Sequence, residues 1–544
     1  MSEAPWPTIE ASKPGPSGWR RLGLGPAEAH QVRTDLGGHG PLGTLRPLVS
    51  FVQVSDLHVT DAQSSIRAEW LDRLGDDDSP LRSVLGPIGT YRTQESLTAQ
   101  VVEAMARRLR GIDTGPVAGG PIGFVVSTGD AADNAQANEV EAAIGLLSGG
   151  TMVVADSGDR GRWEGVGAAD TYDPCYWHPD GTPPGEQVDR PRSRYGFPLV
   201  PGLLDAARRP FAASGVGFPW YPVHGNHDRL LAGTVAATRF LERLARSGRK
   251  STALPAAITD AELVGLLGGS ERRDLALLPG LAAAPVRRVT PDPAREPLSE
   301  PAWLAAHAGR SGLPETERTW YAFDAGALRA LVLDTVDAEG GWQGSIGVDQ
   351  LAWLEAELEA ASERFVDRAG RVRKGGGSGR GVVIFSHHPL RCLFNDWSPA
   401  GTRRVLTAEL AATLSRYPCL VAWVNGHTHT HGVLPHPRHP DLGGGWWEVT
   451  TASHVDWPQQ ARVLEIAADG SGQVVLACTV VDHAGVLDPD PGELASIEGL
   501  AGWSRALAAN DWQRAGPEGT VAGRGGPGDR NVVLVCAGAA AAGG

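Results

Sequence analysis

Short apolar runs recur along this chain, and several of them stop at a polar block. Residues 48–54 run toward Asp56, 122–126 toward Gly129-Asp130, 220–223 toward Gly225-Asn226, 382–385 toward His387, and 420–424 toward Gly426-His427. Continuous apolar segments of about four to seven residues suit strands buried on both faces. The repetition predicts a sheet whose carboxyl edge carries the polar blocks. Between the runs the period becomes helical. Leu97, Val101, Val102, Met105 and Leu109 predict a helix over 93–110, and Leu351, Trp353, Leu354, Leu358 and Ala361 predict another over 348–365. Two further strands fit 318–334. The runs 446–451, 461–466 and 473–481 predict three strands of a second sheet packed on the first.

The stretches from Asp130 to Asn226 and from Asp228 to His387 far exceed the dozen or so residues of a strand crossover. They predict two insertions, at 150–215, rich in turn residues, and at 230–317, made of short Ala/Leu helical pieces. Residues 1–46 abound in Pro and Gly and predict an extended arm on a domain spanning 47–482. Residues 483–544 read as a C-terminal extension with a helix over 491–509, a flexible loop at 516–528, a strand over 531–535 and a frayed Ala/Gly tail.

Composition narrows the function classes. Hydrophobic residues make up 42% of the 544 and charged residues 21%, enough apolar material for a sizeable core. The formal charge is −14 and the only lysines are Lys13, Lys250 and Lys374, which argues against a nucleic-acid groove. Five widely spaced cysteines without a C-x-x-C pair suggest neither a zinc ribbon nor a disulfide framework. No run approaches the roughly 18 apolar residues of a membrane span, and Arg20-Arg21 lacks the apolar stretch of an export signal. A cytoplasmic location is expected.

The chemistry lies in the blocks: Asp56-Leu57-His58, Gly129-Asp130, Gly225-Asn226-His227-Asp228, His387-His388-Pro389 and Gly426-His427-Thr428-His429. Residues two apart at a strand end point to one face, so Asp56 and His58 can offer one cation an oxygen and a nitrogen. Asp, Asn and His without Cys favour Mn, Fe or Zn over calcium or a structural zinc.

The order D-x-H, G-D, G-N-H-D, H-H-P, G-H-x-H resembles the calcineurin-like metallophosphoesterases, and the long inserts resemble an actinobacterial branch whose members generally carry a twin-arginine export signal. The resemblance implies an α/β fold, a four-layer α/β/β/α sandwich of two mixed sheets flanked by helices. It implies two divalent metal ions, with Asp130 shared, Asp56, His58 and His429 on the first, and Asn226, His387 and His427 on the second. It implies a hydroxide bridging the ions that attacks phosphorus, His227 as proton donor to the leaving group, and Asp228 orienting it. The expected substrate is a small phosphoester, a diester ahead of a monoester; the oligomeric state is left open.

Several neighbours stay open between two roles. Asp228 is an orienter or a turn cap; His388 is a second ligand or a satisfied structural histidine; His431 reaches the site or lies at its rim. Asn134 contacts substrate or caps the helix near Ala137. His178, with Tyr176 and Trp177, forms a substrate lid or a hydrophobic plug, and the first insertion is expected to shape substrate access. A docking scaffold is a competing class, but such relatives have lost ligands or the G-N-H histidine. A nuclease would want a basic groove, and an amidohydrolase would open with H-x-H.

Overall fold

The computed structural model describes residues 3–255, 258–259, 261–262, 264, 284–377, 379–398, 402–514 and 522–538. The fold is mixed α/β, built on a seven-stranded and a six-stranded sheet. Across the seven-stranded sheet the order is Gln31–Arg33, Val532–Val535, Val474–Asp482, Gln460–Ala468, Arg46–Val54, Ile122–Ser127 and Trp220–Pro222. Across the other it is Tyr321–Ala325, Leu328–Val332, Val382–Phe385, Leu420–Asn425, Gly445–Thr450 and Gly432–Pro437. Each contains a parallel run: Arg46–Val54, Ile122–Ser127 and Trp220–Pro222 in the first, and Leu328–Val332 through Gly445–Thr450 in the second.

Three apolar cores explain why the strand runs are unbroken. Phe51, Phe124 and Val126 of one sheet meet Val383, Phe385 and Val424 of the other. On the far side of the seven-stranded sheet, Val52 and Val125 pack against Val102, Met105 and Ile144, from helices Thr98–Leu109 and Ala137–Ser148. On the far side of the six-stranded sheet, Ile384 and Trp423 pack against Leu351, Leu354 and Leu410, from helices Val348–Ala361 and Thr407–Leu414. A strand covered on both faces has no position at which a polar side chain is free of cost.

Several expectations need revision. The five block-bearing strands do not share one sheet: three lie in the seven-stranded sheet and two in the six-stranded one. The three strands after the last block divide likewise, Gly445–Thr450 joining Leu420–Asn425 while Gln460–Ala468 and Val474–Asp482 join Arg46–Val54. The Pro/Gly-rich arm contains a hairpin, Glu3–Ala11 with Leu22–Ala29, and its strand Gln31–Arg33 pairs in parallel with Val532–Val535. Helix 348–365 stops at Ala361 because Arg364–Val366 turns into a small hairpin with Val372–Lys374. The C-terminal helix starts only at Ile497, where the Ser496 side chain accepts from Gly499 N at 3.0 Å. Part of the second insertion (265–283), part of the expected flexible loop (515–521) and the tail beyond 538 lie outside the described residues. Among the described residues, no helix is long and apolar enough to cross a membrane.

Candidate metal centre

The carboxyl ends of the two parallel runs face one another, and the five blocks converge there. Their backbones interlock: Asp56 N donates to Gly129 O at 3.1 Å, His58 N to Asp130 O at 2.9 Å, and Gly426 N to His387 O at 3.0 Å. A Cβ at Gly225 would strike the Asp130 backbone and carboxylate, and one at Gly426 would strike Ser55 and Asp56. Those glycines are therefore space requirements of the centre. Asp56, His58, Asp130, His427 and His429 all have positive φ, between 43° and 67°. Each non-glycine residue in that region costs about 1–2 kcal/mol. The concentration of such residues at one point marks a conformation imposed by function.

Ring nitrogens and carboxylate oxygens meet in two groups. In the first, His429 Nε2 lies 3.2 Å from Asp56 Oδ1 and 3.2 Å from His58 Nε2. In the second, His387 Nε2 lies 3.1 Å from Asp130 Oδ2 and 3.1 Å from His427 Nδ1. Asp130 Oδ2 is also 3.8 Å from His58 Nε2, so one carboxylate oxygen faces both groups. Its other oxygen accepts from His227 N at 2.8 Å.

The tautomers follow from what lies behind each ring. His58 Nδ1 hydrogen-bonds Asp133 at 3.0 Å, His429 Nδ1 hydrogen-bonds Asp456 at 2.5 Å, and His387 Nδ1 donates to the Thr128 carbonyl at 2.9 Å. Each proton therefore sits on Nδ1, and Nε2 presents a lone pair to the cluster. Asn226 donates its Nδ2 to Gly233 O at 2.9 Å, while its buried Oδ1 has no hydrogen-bond partner among the described residues. His58 Nε2 and His429 Nε2 at 3.2 Å, His387 Nε2 and His427 Nδ1 at 3.1 Å, and an orphaned amide oxygen bring together atoms that a cation could bind. The residues fit a divalent-metal site: the donor atoms of Asp56, His58 and His429 lie within 4.8 Å of one another, as do those of Asp56, Asp130 and His387.

Without cations, protons take their place. Burial works against a charged His387, yet Asp130 and Asp56 outweigh it and hold its pKa up at about 9. Burial likewise opposes a charged His429, which Asp56 and Asp456 raise. Asp130 is also buried, but His387, His227 and His58 keep it well below the usual carboxylate range.

His227 is held differently from the expectation. Its Nδ1 donates to the Asp133 carbonyl at 2.7 Å, leaving a partly exposed ring whose Nε2 is the free nitrogen. Asp228 does not orient it: Oδ1 accepts from Ala131 and Ala132 N, and Oδ2 from Gly225 N at 2.9 Å. Asp228 is thus the buckle of the G-N-H-D turn. His388 Nε2 donates to Trp342 O at 3.0 Å and Nδ1 accepts from the Thr335 hydroxyl at 2.8 Å, so neither nitrogen has a lone pair to spare. Burial and the neighbouring His387 hold His388 at about 3, in keeping with a neutral structural ring.

Asn134 spends its side chain on Asp133 and Ala232 N, and it does not cap Ala137–Ser148. His178 lies against Tyr172 and the Asp173 carbonyl, while Tyr176 and Trp177 sit in an apolar cluster with Tyr91, Phe197 and Trp503. That is the plug, not the lid. His431 is buried on Arg462 and Gln460.

Three features escaped the sequence reading. Asp456 is gripped by Arg92 at 2.7 Å and Arg514 at 3.0 Å, and those arginines outweigh burial to keep it strongly ionised. Asp133 is paired with Arg67, which also holds Glu95 at 2.7 Å. A cleft of about 150 Å³ beside the cluster is lined by Arg92, His427, Thr428, His429, Asp511 and Arg514, among others. No residue of 150–215 lines it; its walls come from the 87–92 loop, the 427–429 block and residues 511–514. Asp456 was within reach of sequence reading, since it follows the run 446–451 as the other blocks follow theirs.

No protein-family model matches this chain. No curated protein matches it either. Among solved structures it is similar to a dimetal phosphatase from Danio rerio, at 13% identity over 80% of this chain and 96% of that one, with a TM-score of 0.28.

Proposed function

We propose that this protein hydrolyses phosphoesters at a centre of two divalent cations, Mn, Fe or Zn, with diesters preferred to monoesters. The observation that carries the proposal is the convergence of lone-pair-bearing imidazole nitrogens, the shared Asp130 oxygen and the orphaned Asn226 Oδ1. The three stacked cores, helix on sheet, sheet on sheet and sheet on helix, support the four-layer reading of the fold. The diester preference rests on the likeness of G-N-H-D with G-H-T-H to bacterial diesterases.

Bound cations would lower the pKa of a water and neutralise charge developing on phosphoryl oxygens. The chain's own part is placement and proton supply. Asp130 fixes the spacing of the two ligand groups and, by accepting from His227 N, the position of His227. With Nδ1 committed to the Asp133 carbonyl, His227 can hold or release a proton only at Nε2, toward a leaving oxygen. Arg92 and Arg514, anchored on Asp456, place two guanidinium groups in the adjoining cleft, beside Asp511, where they could meet an anionic substrate.

The test is a turnover screen of bis-p-nitrophenyl phosphate, p-nitrophenyl phosphate and cyclic AMP with Mn²⁺, Zn²⁺ and chelator. Chelator-sensitive release from the diester, faster than from the monoester, is expected. A faster monoester makes the protein a phosphomonoesterase; no turnover with metal bound makes it a scaffold.

A further inference from the structure

Trp342 and Phe394 break the usual rule for large apolar rings. They are 40% and 49% exposed, their centroids lie 5.5 Å apart edge to face, and they stand at the rim of the centre. Isolated exposed rings are ordinary, but a touching pair beside a ligand histidine is a surface feature that asks for an occupant. The Trp342 indole lies nearly parallel to His427, 18° between planes and 6.0 Å between centroids.

Both rings sit on tied loops. Asn395 Nδ2 donates to Gly340 O at 2.9 Å and to Gln343 O at 3.3 Å, while Asn395 N donates to Gly344 O at 3.0 Å. His388 pins the Trp342 carbonyl from below. The pair is therefore pre-organised, which lowers the entropic cost of binding against it.

We propose that Trp342, braced by Phe394, is a stacking platform for a planar ring carried on the phosphoester, a nucleobase or an aryl group. The proposal rests on the phosphoesterase reading of the same centre and names its substrate class. A planar group laid on Trp342 would sit beside His427, whose ring lies 6.0 Å from the indole. An aliphatic chain would gain only area, whereas flat rings gain stacking as well.

The test is calorimetric binding to the metal-loaded protein with two matched pairs: phenylphosphonate against cyclohexylphosphonate, and adenosine monophosphate against ribose 5-phosphate. The planar member should bind more tightly in at least one pair, and the pair that shows it identifies the ring as aryl or nucleobase. Stacking on one aromatic side chain is worth roughly 1–3 kcal/mol, about 5- to 150-fold in affinity. Trp342→Ala and Trp342→Leu should erase that preference with metal content unchanged, and Trp342→Phe should keep most of it. Retention by the leucine variant would show plain apolar contact, and loss of metal in both the alanine and leucine variants would reduce Trp342 to a brace for His427. Either result overturns the platform, as does an unmodified protein indifferent to planarity. Because binding is read without turnover, a protein that prefers rings but hydrolyses nothing refutes the hydrolase reading alone, and an active enzyme blind to rings refutes the platform alone.

Discussion

Behind His58 and His429 stand carboxylates, each locked by arginine; behind His387 stands a peptide carbonyl, and His427 leans on Trp342. The first ligand group is thus backed by Asp133–Arg67 and by Asp456 with Arg92 and Arg514, all largely buried. The second has no carboxylate behind its imidazoles among the described residues. A carboxylate fixes the tautomer and makes the ring a stronger donor, whereas a carbonyl fixes the tautomer with less charge. A cation at the first group should therefore be held more tightly than one at the second, which borders Trp342.

The largest effect expected is from Asp130→Ala, which removes the oxygen both groups share. Metal analysis should find neither ion, and turnover should fall to background; one ion retained per chain would mean that Asp130 serves a single group. Next is His227→Ala, which should keep both ions yet slow a substrate with a poor leaving group by about 10²–10⁴-fold. A p-nitrophenyl ester, whose leaving group barely needs a proton, should lose less. Equal losses on both would assign His227 to charge stabilisation.

Asp456→Asn tests the asymmetry directly. Competition with a chelator should show one ion weakened about 10–100-fold and the other unmoved. Asparagine is the useful substitution, because it removes the charge behind His429 while keeping the shape and an oxygen that can accept from Arg92 or Arg514. If both ions weaken alike, the two halves are not independent.

A smaller effect is proton linkage. In the metal-free protein His387 is held at about 9, so below that pH a cation must displace its proton. Affinity at the second group should then weaken as pH falls from 9, by up to about tenfold per unit for one proton. Calorimetry in buffers of different ionisation enthalpy measures the released proton, and His387→Gln should abolish it. The smallest effect is His388→Gln, for which metal content should stay at two ions; loss of one would return His388 to the ligand set.

The blocks could be found without coordinates because each is local: a buried strand ends, the chain turns, and a carboxylate or imidazole follows within a few residues. That syntax picks out the blocks holding Asp56, His58, Asp130, Asn226, His387, His427 and His429; their ligand roles are what the resemblance implies. Sheet membership did not follow, because Leu420–Asn425 and Gln460–Ala468 are both buried throughout and an unbroken apolar run looks alike in either sheet. Which partner stands behind which ligand was hidden for a related reason. Asp456, Arg92 and Arg514 are far apart in the chain, and only the pairing of Gly445–Thr450 with Leu420–Asn425 and the packing of Ile497–Ala508 on Thr98–Leu109 bring them together. Periodicity reports which face of an element is buried. Which buried faces meet, and so which charge stands behind which imidazole, is settled by long-range packing that no local pattern encodes.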